Sequence, residues 1–485
     1  MIICSTDSVT ASTTGGPPTC GGTQFCVSGL TNSGSQASCT YHNVADPGAP
    51  EPEMQEWYAF VCDNHPTEAD CSSASQGSNP GTADASSPFY VNHAPYFTAV
   101  ITSDDYKDPG GTFTVTASTS DPDVRGGADE VYLNVCASNN WATSTGCVDG
   151  TWCTGTSTTD NVSCSFATTT PAHDGTFSYY AFVYDWHYAV ATSNPQTANY
   201  HVNNVAPTVS GVVLHSGQDI TVNMKGMDEV EATTTATISD NNGCGDITSA
   251  TSTIYFSEVS GANYCTADDN FCYQITSADC HFDSSSCSGS TDTTITVTCS
   301  TTIAFHAYPS DGSGGNYPYT NPSWLGAITG IDDNGARNVA TTTTGVDVIT
   351  LSALDIYESE IAYGSVKGGS NTGNRHATTT VENYGNSPLD TTVEVEDMLK
   401  SDLSDWINAT NQEFATTTFT YNSGFYYSIA STSSKTVDTE TPKATSTSVS
   451  VTDEIYWGIG IPAGTTSGDY SGTNTFTATL DNYDW

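Results

Sequence analysis

Carboxylates, thiols and aromatic rings are the side chains in this sequence whose type and spacing can do chemistry. Asp121 and Asp123 flank Pro122 at the end of a Thr-rich stretch, and Asp104, Asp105, Asp108, Asp129 and Glu130 lie close by in sequence. Together they offer enough oxygen ligands for a calcium ion at a domain edge. Asp240 and Asp246 hold the comparable place further along. Asp332-Asp333-Asn334-Gly335 is another acidic stretch, and it reads as a hairpin turn of the primed type. No spacing matches a complete EF-hand loop, so the competing reading is that Asp, Asn and Gly are simply what turns are made of. Calcium is the one cofactor these residues suggest.

Catalytic signatures are missing. The sequence has no Gly-x-Ser-x-Gly elbow, no His-Glu-x-x-His and no phosphate-cradling glycine loop. His65 and His187 recur at the end of a repeated segment, a placement that favours a structural role over a catalytic one. Carboxylate pairs alone leave an exported hydrolase as the third reading, behind two that involve no catalysis. Trp141, Trp152, Trp186 and Trp324 can stack on sugars or on another subunit, with core packing and loop support as the alternative. Asn161-Val162-Ser163 and Asn408-Ala409-Thr410 are glycosylation sequons, and the run Thr341 to Thr344 suits O-linked sugar.

The thiols carry the architectural signal. Sixteen cysteines are present, and none forms the C-x-x-C pair of zinc or thioredoxin-like sites. Disulfides, and therefore export, are the economical reading. Cys4, Cys20, Cys26, Cys39, Cys62 and Cys71 fall in 1–93, and Cys136, Cys147, Cys153 and Cys164 in 94–205. Cys244, Cys265, Cys272, Cys280, Cys287 and Cys299 fall in 206–344, and 345–485 has none. Every proposed domain thus holds an even number, as internal pairing requires.

Those boundaries come from a repeat. Residues 57 to 65 (Trp-Tyr-Ala-Phe-Val-Cys-Asp-Asn-His) and 179 to 187 (Tyr-Tyr-Ala-Phe-Val-Tyr-Asp-Trp-His) are one strand written twice, with a weaker third copy at Ile303 to Tyr308. The exits match, Asn92-His93-Ala94-Pro95 beside Asn204-Val205-Ala206-Pro207, and such Asn-Pro punctuation marks a junction. Cys4, Cys20, Cys26 and Cys39 correspond to Cys136, Cys147, Cys153 and Cys164, which leaves Cys62 to bond Cys71. The other four allow three connectivities, and sequence does not choose among them.

The second copy has strand-like stretches at Thr112 to Ala117 and Glu130 to Val135 for which the first has no counterpart. The first repeat is therefore expected to be partial. A longer exported precursor explains that, and a strand donated by a neighbouring subunit is the alternative.

Further strands are expected at Thr233 to Ile238, Thr294 to Thr298, Thr378 to Val381, Thr391 to Val395, Thr416 to Tyr421, Ser446 to Val451 and Thr473 to Leu480. A short helix is expected only at Val395 to Trp406. The fold class is all-β, tandem antiparallel sandwiches with disulfide-rich loops. The segment Thr114 to Leu133, with Ser120-Asp121-Pro122-Asp123 between a Thr-rich strand and an apolar one, resembles the opening of immunoglobulin-like, PKD-like and cadherin-like repeats of bacterial surface proteins. The resemblance implies surface location and modular architecture. It departs from true immunoglobulin domains in lacking one Cys pair around a buried Trp.

Composition narrows the partners. A formal charge of -45 arises from 54 acidic and only 9 basic residues, so the anomaly is missing base. The resulting field repels nucleic acid and anionic lipid and attracts divalent cations. No apolar run is long enough to span a bilayer as a helix. The leading expectation is a non-catalytic structural subunit of an extracellular surface layer or filament, self-associating into a lattice or fibre. The second is a monomeric adhesin or carbohydrate-binding protein of the cell surface, with glycans as ligands.

Overall fold

In a computed structural model the described residues are 1–31, 36–41, 54–63, 65, 67–73, 89–90, 92–103, 106–122, 130–159, 161–313, 316–424, 428–483 and 485. The protein is all-β, with many antiparallel sheets. It divides into two compact units, Met1–Asn204 and Val205–Trp485.

In the first unit, the strand Thr112–Ser120 alternates Thr and Ser with Phe113, Val115 and Ala117, and all three apolar side chains are fully buried. Period-two alternation of this kind gives a strand one dry face and one wet face. It is the centre of a three-stranded sheet with Asn161–Ala167 and Tyr96–Ser103. The opposite sheet runs Thr151–Ser157, Val131–Cys136, Gly175–Asp185, Gln196–Val202, Tyr106–Lys107, and only the last pairing is parallel. Val131, Leu133, Val135, Tyr179, Ala181 and Val183 close the core from that side.

Cys153–Cys164 ties the two sheets together. Beside it the layers approach so closely that a Cβ on Gly155 would lie 2.2 Å from Ser163 O, which leaves room only for glycine. Cys136 bonds Cys147.

The first copy repeats this arrangement in miniature. Ile2–Cys4 pairs with Gln24–Val27 and Tyr58–Phe60, and Cys4↔Tyr58 repeats the register Cys136↔Tyr180. The bonds Cys4–Cys20 and Cys26–Cys39 select, of the three connectivities, the one the second copy uses. Cys62 bonds Cys71.

The second unit has two main cores. In one, the sheet Thr208–Leu214, Val230–Ser239, Thr294–Ile303, Cys280–Asp283 supplies Leu214, Ile238 and Val297, and the sheet Cys272–Ile275, Ile247–Phe256, Trp324–Asp332, Arg337–Thr341 supplies Ile254, Ile328 and Trp324. Disulfides join Cys244 to Cys287, Cys265 to Cys272 and Cys280 to Cys299. In the other, Leu354–Ile356, Ala377–Asn383, Thr452–Ile459, Gln412–Ala415 and Ser428–Ile429 form one sheet, and Lys435–Thr441, Leu389–Val395 and Asn474–Leu480 form another. Val381, Phe414, Ile455 and Trp457 pack against Val393, Val395 and Val437.

Several local expectations are overturned. Val395 to Trp406 is not helical: Met398–Lys400 and Trp406–Ile407 form a small antiparallel hairpin, because each pairs backbone with a neighbour that a short helix would have lacked. Thr416 to Tyr421 forms no strand. The strand lies just before it, at Gln412–Ala415, where all four side chains are buried and alternation is therefore absent. Ser446 to Val451 is likewise irregular and precedes the strand Thr452–Ile459. The third copy of the shared strand is a turn beyond Ile303, since the strand there is Thr294–Ile303. The hairpin at Asp332 to Gly335 exists, but only Gly335 has positive φ, +82°, so it is not a primed two-residue turn.

Candidate functional site

The shared strand has two faces, and in the second copy they do different work. Tyr179, Ala181 and Val183 point into the core, so Tyr180, Phe182 and Tyr184 point out. Tyr132 stands directly across from Tyr184 on Val131–Cys136. Over this outer face the loop between Cys136 and Cys147 lays Trp141, held by their disulfide.

The rings form a continuous ridge. Trp141 stacks on Phe182 with centroids 4.9 Å apart and lies 5.5 Å from Tyr184. Tyr184 stacks on Tyr132 at 5.1 Å and on Tyr188 at 6.2 Å, and Tyr132 lies 6.4 Å from Trp186. Offset stacking at these separations favours aromatic pairs beyond simple burial. The indole of Trp141 is anchored: its Nε1 donates to Asn134 Oδ1 at 2.8 Å, and the same amide donates to Leu133 O at 3.1 Å. Tyr132 donates to Glu130 Oε2 at 2.6 Å. Burial raises the phenols of Tyr132 and Tyr184, so both remain neutral donors.

At its open end the ridge leaves Trp186 60% and Tyr188 66% exposed. Tyr188 sits at φ 68°, a left-handed conformation rare for a bulky side chain. The turn is held by Asp185, fully buried, whose Oδ1 accepts from Ala189 N at 2.8 Å and whose Oδ2 accepts from Asn92 Nδ2 at 2.7 Å. The first copy has Cys62 where the second has Tyr184, so one position carries a disulfide in one repeat and a ring of the ridge in the other.

Of the four tryptophans singled out above, only Trp186 is exposed. Trp141 belongs to the ridge. Trp152 packs on Phe166, Tyr179 and Tyr200. Trp324 has no solvent exposure, and its Nε1 donates to Tyr308 O at 2.9 Å, which removes it from any sugar-stacking role.

The carboxylates regroup. Asp104, Asp105, Asp123 and Asp129 lie outside the described residues; Asp121 directly follows Thr112–Ser120. Asp240 directly follows Val230–Ser239 in the same manner, Asp246 ends the turn Cys244–Asp246, and Asp332 ends the strand that pairs with Ile247. These three side chains are each no more than 3% exposed, and their oxygens lie within 4.8 Å of one another. Asp240 Oδ1 accepts from Asn242 N at 2.8 Å and Asp332 Oδ1 from Ala336 N at 2.7 Å. Like charges so close repel, and a hard divalent cation relieves that repulsion. The donor set, oxygen only, fits calcium and supplies three of its usual six to eight ligands.

Both sequon asparagines are exposed: Asn161 opens the strand Asn161–Ala167, and Asn408 precedes the turn Ala409–Asn411 and accepts from Trp406 Nε1 at 3.1 Å. His65 and His187 are also exposed. Among the described residues no helix is long and apolar enough to cross a membrane.

No protein-family model and no curated protein matches the chain. Among solved structures it is similar to dimeric latent PorU of Porphyromonas gingivalis, at 11% identity over 83% of this chain and 35% of that one, with a TM-score of 0.17. The adhesin InvE of Yersinia pseudotuberculosis aligns at 11% identity over 62% of this chain and 65% of that one, TM-score 0.22. The Escherichia coli adhesin FdeC aligns at 12% identity over 80% and 93%, TM-score 0.20. The chain thus spans about a third of PorU and just under two thirds of InvE. Overlays at this level carry no information about activity or partner.

Proposed function

We propose that this chain is a non-catalytic extracellular surface protein of the adhesin type, and that the aromatic ridge of its second repeat is a binding surface for neutral glycans. The observation that carries the reading is the run of stacked rings ending in exposed Trp186 and Tyr188. Exposed rings held rigid by their neighbours lose little conformational freedom when a ligand settles on them. The apolar face of a sugar ring suits such a platform. A chain of net charge -45 disfavours anionic polymers, which leaves neutral sugars. Eight disulfides suit an oxidising compartment outside the cytoplasm.

The test is a neutral-glycan array read with the wild type, Trp186→Ala and Tyr188→Ala. Binding by the wild type that falls at least tenfold in Trp186→Ala supports the reading; no binding, or binding untouched by both substitutions, removes it. A structural role in a surface layer or filament is supported by the join between the two cores of the second unit, where Lys225 pairs with buried Glu382. Regular lattices or fibres in electron micrographs would favour that role, and monodisperse particles would count against it. Calcium at Asp240, Asp246 and Asp332 is a separate proposal, tested by a drop in melting temperature on adding a chelator; an unchanged melting temperature would remove it.

A further inference from the structure

Lys443 is one of only 9 basic residues in a strongly acidic chain, yet it is not at the surface with a carboxylate. It is only 8% exposed. Its Nζ instead donates to Asn270 Oδ1 at 2.8 Å, His306 O at 2.5 Å and Ala444 O at 2.8 Å. The ring of Tyr308 lies beneath it at 5.1 Å. Asn270 belongs to the turn before Cys272–Ile275, 173 residues away in sequence.

The carboxamide is held from its other side. Asn270 Nδ2 donates to Asp268 Oδ1 at 3.1 Å and to Thr445 O at 2.9 Å, and Asn270 N donates to the same Asp268 oxygen at 2.9 Å. An amine, an amide carbonyl and a carboxylate thus follow one another, with the carboxylate at the amide nitrogen. Burial pushes the Lys443 amine down to about 7, against the pull of Asp268, so that much of it is neutral and nucleophilic near neutral pH. Reacting groups fixed in contact need no diffusional encounter.

We propose that Lys443 and Asn270 join in an intramolecular isopeptide bond, formed by the chain on itself with Asp268 as the proton carrier. The Lys443 Nζ–Asn270 Cγ bond forms, the Cγ–Nδ2 bond breaks, and ammonia leaves. One Nζ proton passes to Asp268 and from there to the departing Nδ2, so Asp268 ends as it began. No electron changes hands and no second reactant is consumed. The product also replaces a buried amine, whose charged form is costly to desolvate, with a neutral amide. It would place a covalent cross-link on the segment 345–485, which has no cysteine.

Intact-mass measurement of the non-reduced full chain decides the matter. The bond makes the protein lighter than its disulfide-bonded sequence by one ammonia, about 17 Da, and a proteolytic digest then contains one branched peptide joining Lys443 to Asn270. Lys443→Met and Asp268→Asn should each restore the missing mass, and Asp268→Asn keeps the size and hydrogen-bonding shape of the turn. A wild-type mass equal to that of the sequence with its disulfides overturns the proposal. So does a loss that persists in Lys443→Met, because another site must then be its source.

Discussion

The two cores of the second unit are sandwiches of similar plan stabilised by different means. Between Leu214 and Val348 the core cluster is mainly apolar, with buried polar side chains such as Thr234 and Ser252 beside it, and three disulfides cross-link its strands and loops. Between Leu354 and Leu480 no cysteine is present, and buried polar side chains hydrogen-bond strands and turns to one another. Asn383 Nδ2 donates to Ser387 O at 2.7 Å and Pro442 O at 3.0 Å, and its Oδ1 accepts from Gly385 N at 2.9 Å. Asn386 accepts from Leu351 N and donates to Ile349 O, and Thr439 and Thr441 both donate to Leu389 O. Even the buried tryptophans differ: Trp324 donates to a backbone carbonyl, Trp457 to the hydroxyl of Thr379. A cross-link acts mainly on the unfolded chain, whereas a satisfied polar network acts on the folded one. The two regions should therefore fail under different treatments.

The largest expected effect is on the cross-linked side. Replacing Cys244 and Cys287 by Ser opens a loop of 43 residues and should cost about 4 kcal/mol in a denaturant titration. The same experiment on Cys280 and Cys299, 19 apart, should cost about 3 kcal/mol, and on Cys265 and Cys272, 7 apart, about 2 kcal/mol. Equal losses at all three would sink the entropic reading of this core.

Next comes the polar side. Asn383→Ala leaves several backbone partners unsatisfied and should cost about 2 to 3 kcal/mol by thermal or chemical melting. A loss below that of an average surface substitution would mean that the network is decoration.

Acid should discriminate between the regions by a smaller margin. Burial pushes Glu382 up, but hydrogen bonds from Lys225, Ser450 and Tyr357 outweigh it and hold the carboxyl below its ordinary 4.5. Between that value and the lower folded one the unfolded chain binds more protons. The stabilisation is complete above pH 4.5 and disappears as pH falls through the folded value. Lys225→Met should flatten this slope, an effect on the order of 1 kcal/mol. Stability curves that superimpose for the wild type and this variant would contradict the assignment.

The smallest effect expected is at Trp406, 59% exposed in the cysteine-free segment, where alanine should change stability by less than about 0.5 kcal/mol. Trp324→Ala, by contrast, empties a filled site and should cost about 3 to 5 kcal/mol.

Much of the strand content was legible because alternation is a local property. Thr112 to Ala117, Thr233 to Ile238 and Thr391 to Val395 all lie inside observed strands. Gln412–Ala415 was not legible, since a strand buried on both faces shows no alternation, and Thr416 to Tyr421 imitated one without a partner to pair with. The ridge was partly legible: Trp141 and Trp186 were singled out, but Tyr132, Tyr184 and Tyr188 were not, although the repeat itself offered a signal in Tyr184 standing where Cys62 stands.

By itself the sequence determined the all-β class, the repeated strand with its matched cysteines, and a surface poor in positive charge. These follow from side-chain periodicity and composition, which need no knowledge of neighbours. The tertiary structure alone decided which of the possible cysteine pairings is used, that Asp240, Asp246 and Asp332 share one buried place, that Trp324 is core while Trp186 is surface, and that Lys443 faces Asn270. The reason is the same in each case: local pattern tells a side chain which face of its strand to occupy, and only strand pairing tells it what it meets there.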